Sequence, residues 1–283
     1  PSASILPCGK RLHLQNGPID LIVGADGDRM TAFRAARERF DTILDELVSE
    51  LPLLRARLHP GSPRPAGMIA RRMDRATRPF SRLFITRMAA VAGAVADSVL
   101  EAMRTAAPLR RAYVNNGGDI ALHLEQGQNF AAAMADHRGG VFGRIAIAHS
   151  DNVGGIATSG RHGRSFSMGI ADSVTVLAQS AANADAAATL IANAVDLPGH
   201  PQITRSPARS LSPDSDLGDR PVVTACASLS PVEVGTALQS GQNRARRMLA
   251  ADRIIAAALH LQGETRLVGP GVFLQKNRRQ LHA

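Results

Sequence analysis

Between residues 30 and 48 apolar side chains recur at intervals of three and four. Phe33, Ala36, Phe40, Ile43, Leu44 and Leu47 are separated by charged residues, and the spacing predicts a packing helix. A short apolar strand at 19–23 precedes it, between turn signals at Asn16-Gly17-Pro18 and Asp26-Gly27-Asp28. Further helices are expected over 84–106, 181–195 and 232–261, and the first of these has a centre, 88–96, made almost wholly of small residues. Strands are expected at 111–114, 120–124, 141–148, 154–159, 173–178 and 222–227, with a terminal one over 265–274. Residues 59–80 are rich in Pro, Gly and Arg and read as a mobile loop excursion. The Pro- and Ser-rich stretch 197–220 reads as a surface connection, and 276–283 as a flexible tail. Together these elements predict an α+β fold, with mixed or antiparallel sheets covered by helices in two layers around one core. They form a single compact unit spanning residues 1–283.

Composition narrows the functional classes. Hydrophobic residues make up 45% and charged residues 20%, as in a soluble globular protein. Aromatics are scarce, with no Trp and one Tyr, Tyr113, which disfavours nucleic-acid binding by base stacking. The net charge of +9 comes mainly from arginine clusters and fits either a solvated basic surface or contacts to an anionic ligand. Cys8 and Cys226 belong to no metal-binding or disulfide spacing, and no secretory or membrane-spanning segment is recognisable, so a cytoplasmic setting is expected. The small-residue helix can pack within one subunit or against a second, which leaves a homo-oligomer open.

Three stretches carry candidate chemistry. In Asn115-Asn116-Gly117-Gly118-Asp119 the glycines permit positive φ, so backbone N–H groups can converge on an anion; a β-hairpin turn explains the same residues. Gly160-Arg161-His162-Gly163-Arg164 offers donors to an anion, with His162 a candidate general acid or base, or else forms an exposed basic turn. Asp172 is either a metal ligand or a turn residue. Asp185 and Thr189 lie four apart on one helix face, an oxygen pair suited to a hard cation, although each also has a structural use near a helix N-terminus.

Taken in order, Gly117-Gly118-Asp119, then Ala157-Thr158-Ser159-Gly160, the strand 173–178 (SVTVLA) and Asp185-Ala186-Ala187-Ala188-Thr189 resemble the motif set of the ApbE-like superfamily of Mg²⁺-dependent flavin transferases. The resemblance covers about residues 85–195. It implies an ApbE-like fold and a flavin diphosphate, FAD or FMN, contacted by residues 116–119, Thr158, Ser159, Gly160, Arg161 and Arg164. It also implies Mg²⁺ at Asp185 and Thr189, so that Asp185 joins the loop histidine His162 as a catalytic candidate. Transferases of that superfamily move FMN from FAD to a threonine of a target flavoprotein. Here Ser167 to Ala171 occupies the interval of the family's H-x-x-D-P segment, and the usual lysine is absent from Gly93 to Ala96. The sequence is therefore similar to a shorter, cytoplasmic branch, and the alternative is a non-catalytic ligand-binding or assembly protein.

Overall fold

The computed structural model describes residues 1–135 and 140–275. Strands β1 (Ser2–Ile5), β2 (Arg11–Asn16) and β3 (Ile19–Gly27) lead into helices α1 (Arg29–Ser49), α2 (Leu51–Arg55), α3 (Met68–Thr77) and α4 (Val91–Ala106). Next come β4 (Leu109–Asn116), β5 (Asp119–Leu124), β6 (Asn129–Ala135), β7 (Val141–Ala148), β8 (Gly155–Ser159) and β9 (Ser173–Ala178), followed by α5 (Ala181–Ala194). The remaining elements are β10 (Ile203–Pro207), α6 (Ala208–Leu211), β11 (Pro221–Cys226), α7 (Pro231–Ala250), β12 (Ala256–Leu261), β13 (Glu264–Val268) and β14 (Phe273–Gln275).

Nine strands pair antiparallel in the order β1-β2-β3-β4-β5-β8-β9-β12-β13. Beside this sheet stand a separate three-stranded sheet, β14-β7-β6, and the β10-β11 ribbon. The interior strand β9 shows why two layers are too few. Its Val174, Val176 and Ala178 enter the core beneath the helices. Leu177, on the other face, joins a second core with Leu122, Ile145, Ile156 and Phe273 under the three-stranded sheet. A strand covered on both faces loses the apolar-polar alternation, which explains the unbroken SVTVLA run. The α+β class stands, with a third layer added to the expected two.

At the centre of the helical layer lies α5, whose Ala181, Ala182, Ala184, Ala186, Ala187, Ala188 and Ala192 are all buried. Alanine suits a helix that must approach its neighbours closely on several sides. At Gly93 in α4 and at Gly155 in β8, an added Cβ would collide with the backbone of Ala181. The small-residue stretch 88–96 is therefore a packing surface within the subunit. The two helices also cap each other. Both carboxylate oxygens of Asp97 in α4 accept from the Ala181 and Ala182 N–H groups that open α5, each at 3.0 Å. Asp185 in α5 accepts from the Gly93 N–H in the first turn of α4, at 3.1 Å. Ala90, the residue before α4, offers no side-chain cap, so Asp185 fills that role.

Several expectations are corrected. Residues 59–80 are no loose excursion: they contain α3, with Ile69, Ala70, Met73, Asp74, Ala76 and Thr77 buried. The Pro and Arg content hid an apolar stripe at helical spacing. Asp74 is held in a bidentate pair by Arg78 and by the fully buried Arg87, whose other nitrogens donate to the Leu53 and Pro63 carbonyls. The helix expected over 232–261 ends at Ala250. Asp252 takes φ 54°, and Ala256–Leu261 becomes β12, fitted between β9 and β13. Tertiary pairing there overrides the helix propensity of three consecutive alanines. The helix expected from residue 84 begins as α4 only at Val91. The terminal strand divides at Gly269, φ 99°, into β13 and β14. Residues 276–283, read as a tail, lie outside the described residues. Among the described residues no helix is long and apolar enough to cross a membrane.

Gly93→Ala is expected to lower stability by about 1–3 kcal/mol through overpacking against Ala181. Gly235→Ala, near the start of α7 with nothing near the added methyl, should be neutral or stabilising. Paired denaturant titrations decide it, and equal midpoints for the two variants would contradict the close approach.

Candidate functional site

The hairpin turn between β4 and β5 delivers the first site residue. Gly117 and Gly118 have φ 63° and 111°, and Asn116 pairs with Asp119, so the turn reading of this stretch is realised. Asn115 caps it, its Oδ1 accepting from the Gly118 N–H at 2.8 Å. Asn116 is buried and donates to the Ala92 carbonyl at 3.2 Å, tying the turn to the start of α4. With the turn fixed, Asp119 faces a cavity of about 390 Å³ that is also lined by Ser159, Arg164, Asp185 and Thr189. The Arg164 guanidinium lies over Gly117, where any side chain would displace it. Five of the residues singled out in the sequence thus meet in one place.

Both carboxylates sit deep among protein atoms yet keep part of their surface open to the cavity. For Asp119, burial pushes the pKa up to about 7, against the pull of the Thr158 N–H and the Arg164 charge. Asp185 is raised well above the ordinary carboxylate range, first by burial and then by the charge of Asp119, while the Gly93 and Ala92 N–H groups pull it down. Two such carboxylates repel when both are ionised, and a cation between them removes the repulsion. The donors are all hard oxygens, which suits a cation such as Mg²⁺. Among the described residues no group of three or more His, Cys, Asp or Glu could hold a metal. Asp119, Asp185 and the Thr189 hydroxyl make a partial set, of the kind Mg²⁺ completes with ligand phosphate and water.

The remaining nominated residues lie elsewhere. Arg161 and His162 do not line the cavity: Arg161 pairs with Asp172 at 2.7 Å, and the His162 Nε2 lies 3.2 Å from the same carboxylate. Asp172 also accepts from the Gln262 N–H at 2.6 Å, so it anchors the 160–164 loop to the sheet edge. Gly160 is required there because a Cβ would meet the Asp172 carbonyl at 2.5 Å. Thr158 points to the opposite face of its strand and bonds Thr175 at 2.9 Å. In the H-x-x-D-P interval, Ser167 bonds the Gly169 carbonyl, and Ile170 and Ala171 are buried.

Sequence reasoning missed the cavity's walls. Phe84, Thr86 and Met88 line one side, and Ser212, Ser215, Asp216 and Leu217 come from the stretch read as a surface connection. That stretch carries β10 and α6, and the turn after α6 borders the cavity, with Asp216 accepting from the Thr86 hydroxyl at 2.5 Å. Its length and its Pro and Ser content were the available signal; nothing local marks which residues turn inward.

An antiparallel sheet whose helical layer opens onto a paired-carboxylate cavity defines the class, and comparison with known proteins specifies it. The chain belongs to the family described as AbpE bacteria, whose model matches residues 3–267. A UPF0280 protein of Methanopyrus kandleri is 38% identical over 125 residues, 44% of this chain and 48% of that protein. One from Methanothrix thermoacetophila is 35% identical over 191 residues, 65% and 76% of the two chains. The first match thus spans about half the relative's length. Among solved structures, the ApbE protein of Thermotoga maritima is similar with a TM-score of 0.52 at 12% identity, covering 90% of this chain and 96% of that one. The apo flavinyl transferase ApbE of Pseudomonas stutzeri gives a TM-score of 0.50 at 11% identity, covering 93% and 94%. These likenesses show the ApbE-like fold.

The raised pKa of Asp119 fixes a pH dependence. The folded state holds this proton more tightly than the unfolded chain, so without divalent cation stability is greatest below the ordinary carboxylate range. It falls as pH rises from about 4 towards about 7. Asp119→Asn, which has no such proton, is expected to show a shallower fall in Tm across this window in chelator-treated protein. Parallel curves for the two proteins would contradict the assignment.

Proposed function

We propose that the cavity binds a flavin nucleotide or a closely related phosphorylated compound together with Mg²⁺, and that the protein transfers or cleaves a phosphate ester of that ligand. The observation that carries this reading is the convergence of Asp119 and Asp185 on one cavity, beside Thr189 and the Arg164 guanidinium. Asp119, Asp185 and Thr189 would hold the cation. Bound there, it would neutralise charge developing on a phosphate oxygen as the ester or, in a dinucleotide such as FAD, the phosphoanhydride breaks. Arg164 would supply a donor fork for phosphate, with Ser159 lining the same cavity. Phe84, Met88 and Phe166 give the cavity an apolar wall for a ring system. Family membership and the flavinyl transferase among the structural neighbours support the flavin class.

A second reading, a binding or assembly module without turnover, rests on the 167–171 interval, which brings Met168 but no histidine to the cavity while its other residues bond and pack within the protein. Incubation with FAD and Mg²⁺, followed by chromatography for AMP, separates the two: AMP formation excludes the second reading.

Isothermal titration with FAD, FMN and ADP tests the ligand class. FAD is expected to bind, and Mg²⁺ to tighten binding by about tenfold or more, equivalent to about 1.4 kcal/mol. Thr189→Val should lose most of that Mg²⁺ effect while leaving the Asp185 cap intact. Absence of binding by all three ligands, with and without Mg²⁺, would overturn the proposal.

A further inference from the structure

A second concavity, of about 410 Å³, lies on the face of the main sheet away from the helices, and shares no residue with the cavity above. Its floor is a cross-strand row in which Arg11 pairs with Gly24 and Gly24 with Tyr113. The Tyr113 ring lies flat across Gly24, where a Cβ would collide with it, a known way of filling a glycine gap in a sheet. Phe130, on the outer strand β6 of the three-stranded sheet, stands against Tyr113 with ring centroids 5.8 Å apart and planes at 53°. The two rings thus form an open aromatic corner.

Around that corner the charge is one-sided. Lys10, Arg11, Arg29 and Arg111 line it against a single carboxylate, Asp26. Asp26 is already engaged, accepting from Arg111 at 2.9 and 2.6 Å and lying 3.6 Å from Arg29. Lys10 and Arg11 have no carboxylate partner among the described residues; the Arg11 Nε leans on the Cys8 sulfur at 3.5 Å. The Tyr113 hydroxyl makes no hydrogen bond among the described residues. Stacking area, a free hydroxyl and two uncompensated cations converge, and each calls for a different part of one ligand: a planar ring, a polar edge and an anionic end.

We propose that this corner is a second binding site, for a small ring-bearing phosphomonoester. The ring stacks on Tyr113 and Phe130 and the phosphate is met by Lys10 and Arg11. The site does not depend on the proposed flavin cavity.

The chain carries one tyrosine and no tryptophan, so tyrosine labelled with ¹³C gives a single ring signal that reports this corner directly. Phenyl phosphate and AMP are expected to shift that signal saturably. Inorganic phosphate should bind about tenfold more weakly for lack of the ring, and Lys10→Ser with Arg11→Ser should weaken phenyl phosphate by about tenfold or more. A native Tyr113 signal in the unliganded variant confirms that it is folded, and Thr189→Val, in the other cavity, should leave the response unchanged. Tighter binding of AMP identifies a nucleotide, and tighter binding of phenyl phosphate a smaller aromatic ester; either supports the site. No saturable shift with either compound would overturn it, as would equal affinity for inorganic phosphate or a response unaffected by the Lys10 and Arg11 changes.

Discussion

Helices α4 and α5 hold each other through exchanged carboxylates, and the site depends on that exchange. Asp97 of α4 satisfies the first N–H groups of α5, and Asp185 of α5 satisfies those of α4. Each helix N-terminus carries partial positive charge, so each carboxylate sits where the macrodipole favours it. The close approach this needs is possible because Gly93 faces the Ala181 backbone with no side chain between. A pair of helices locked in this way fixes Asp185 at the floor of the cavity with no freedom to drift. It also explains why Asp185, although strongly desolvated, is not simply expelled.

On the proposed function the same carboxylate serves packing and chemistry, and the two uses differ in what they need. As a cap, Asp185 requires only the Gly93 and Ala92 N–H groups. As a cation ligand it would act with Asp119, which a two-glycine hairpin turn pinned by Asn115 and Asn116 presents to the same cavity. Asn116 joins the two halves, because the carbonyl it holds belongs to Ala92, in the turn that donates to Asp185. Without a cation, the proximity of the two carboxylates costs stability at neutral pH. That cost is what the proposed cation would relieve.

Much of this was legible in the sequence wherever local chemistry and final position coincide. The α1 stripe of Phe33, Ala36, Phe40, Ile43 and Leu47 is buried as its spacing implies. Gly117 and Gly118 take the positive φ that the turn demands. Asp185 and Thr189 share a helix face and a cavity. What stayed hidden depends on distant partners. The arginines of 71–78 disguised α3, because its stability rests on Asp74 meeting the buried Arg87. Ala256–Leu261 became a strand through pairing with β9 and β13, which its alanines do not announce. Arg161 and His162 look like ligand donors in sequence but are drawn away by Asp172, and the residues after α6 that border the cavity lie in a stretch without periodicity.

The cation role of the carboxylate pair is tested most directly by diffraction from crystals grown with Mn²⁺ in place of Mg²⁺ and with FAD. An anomalous peak is predicted between Asp119 and Asp185, within bonding distance of the Asp185 carboxylate and the Thr189 hydroxyl. A well-ordered flavin nucleotide with no anomalous peak beside these residues, or with the metal bound elsewhere, would contradict it.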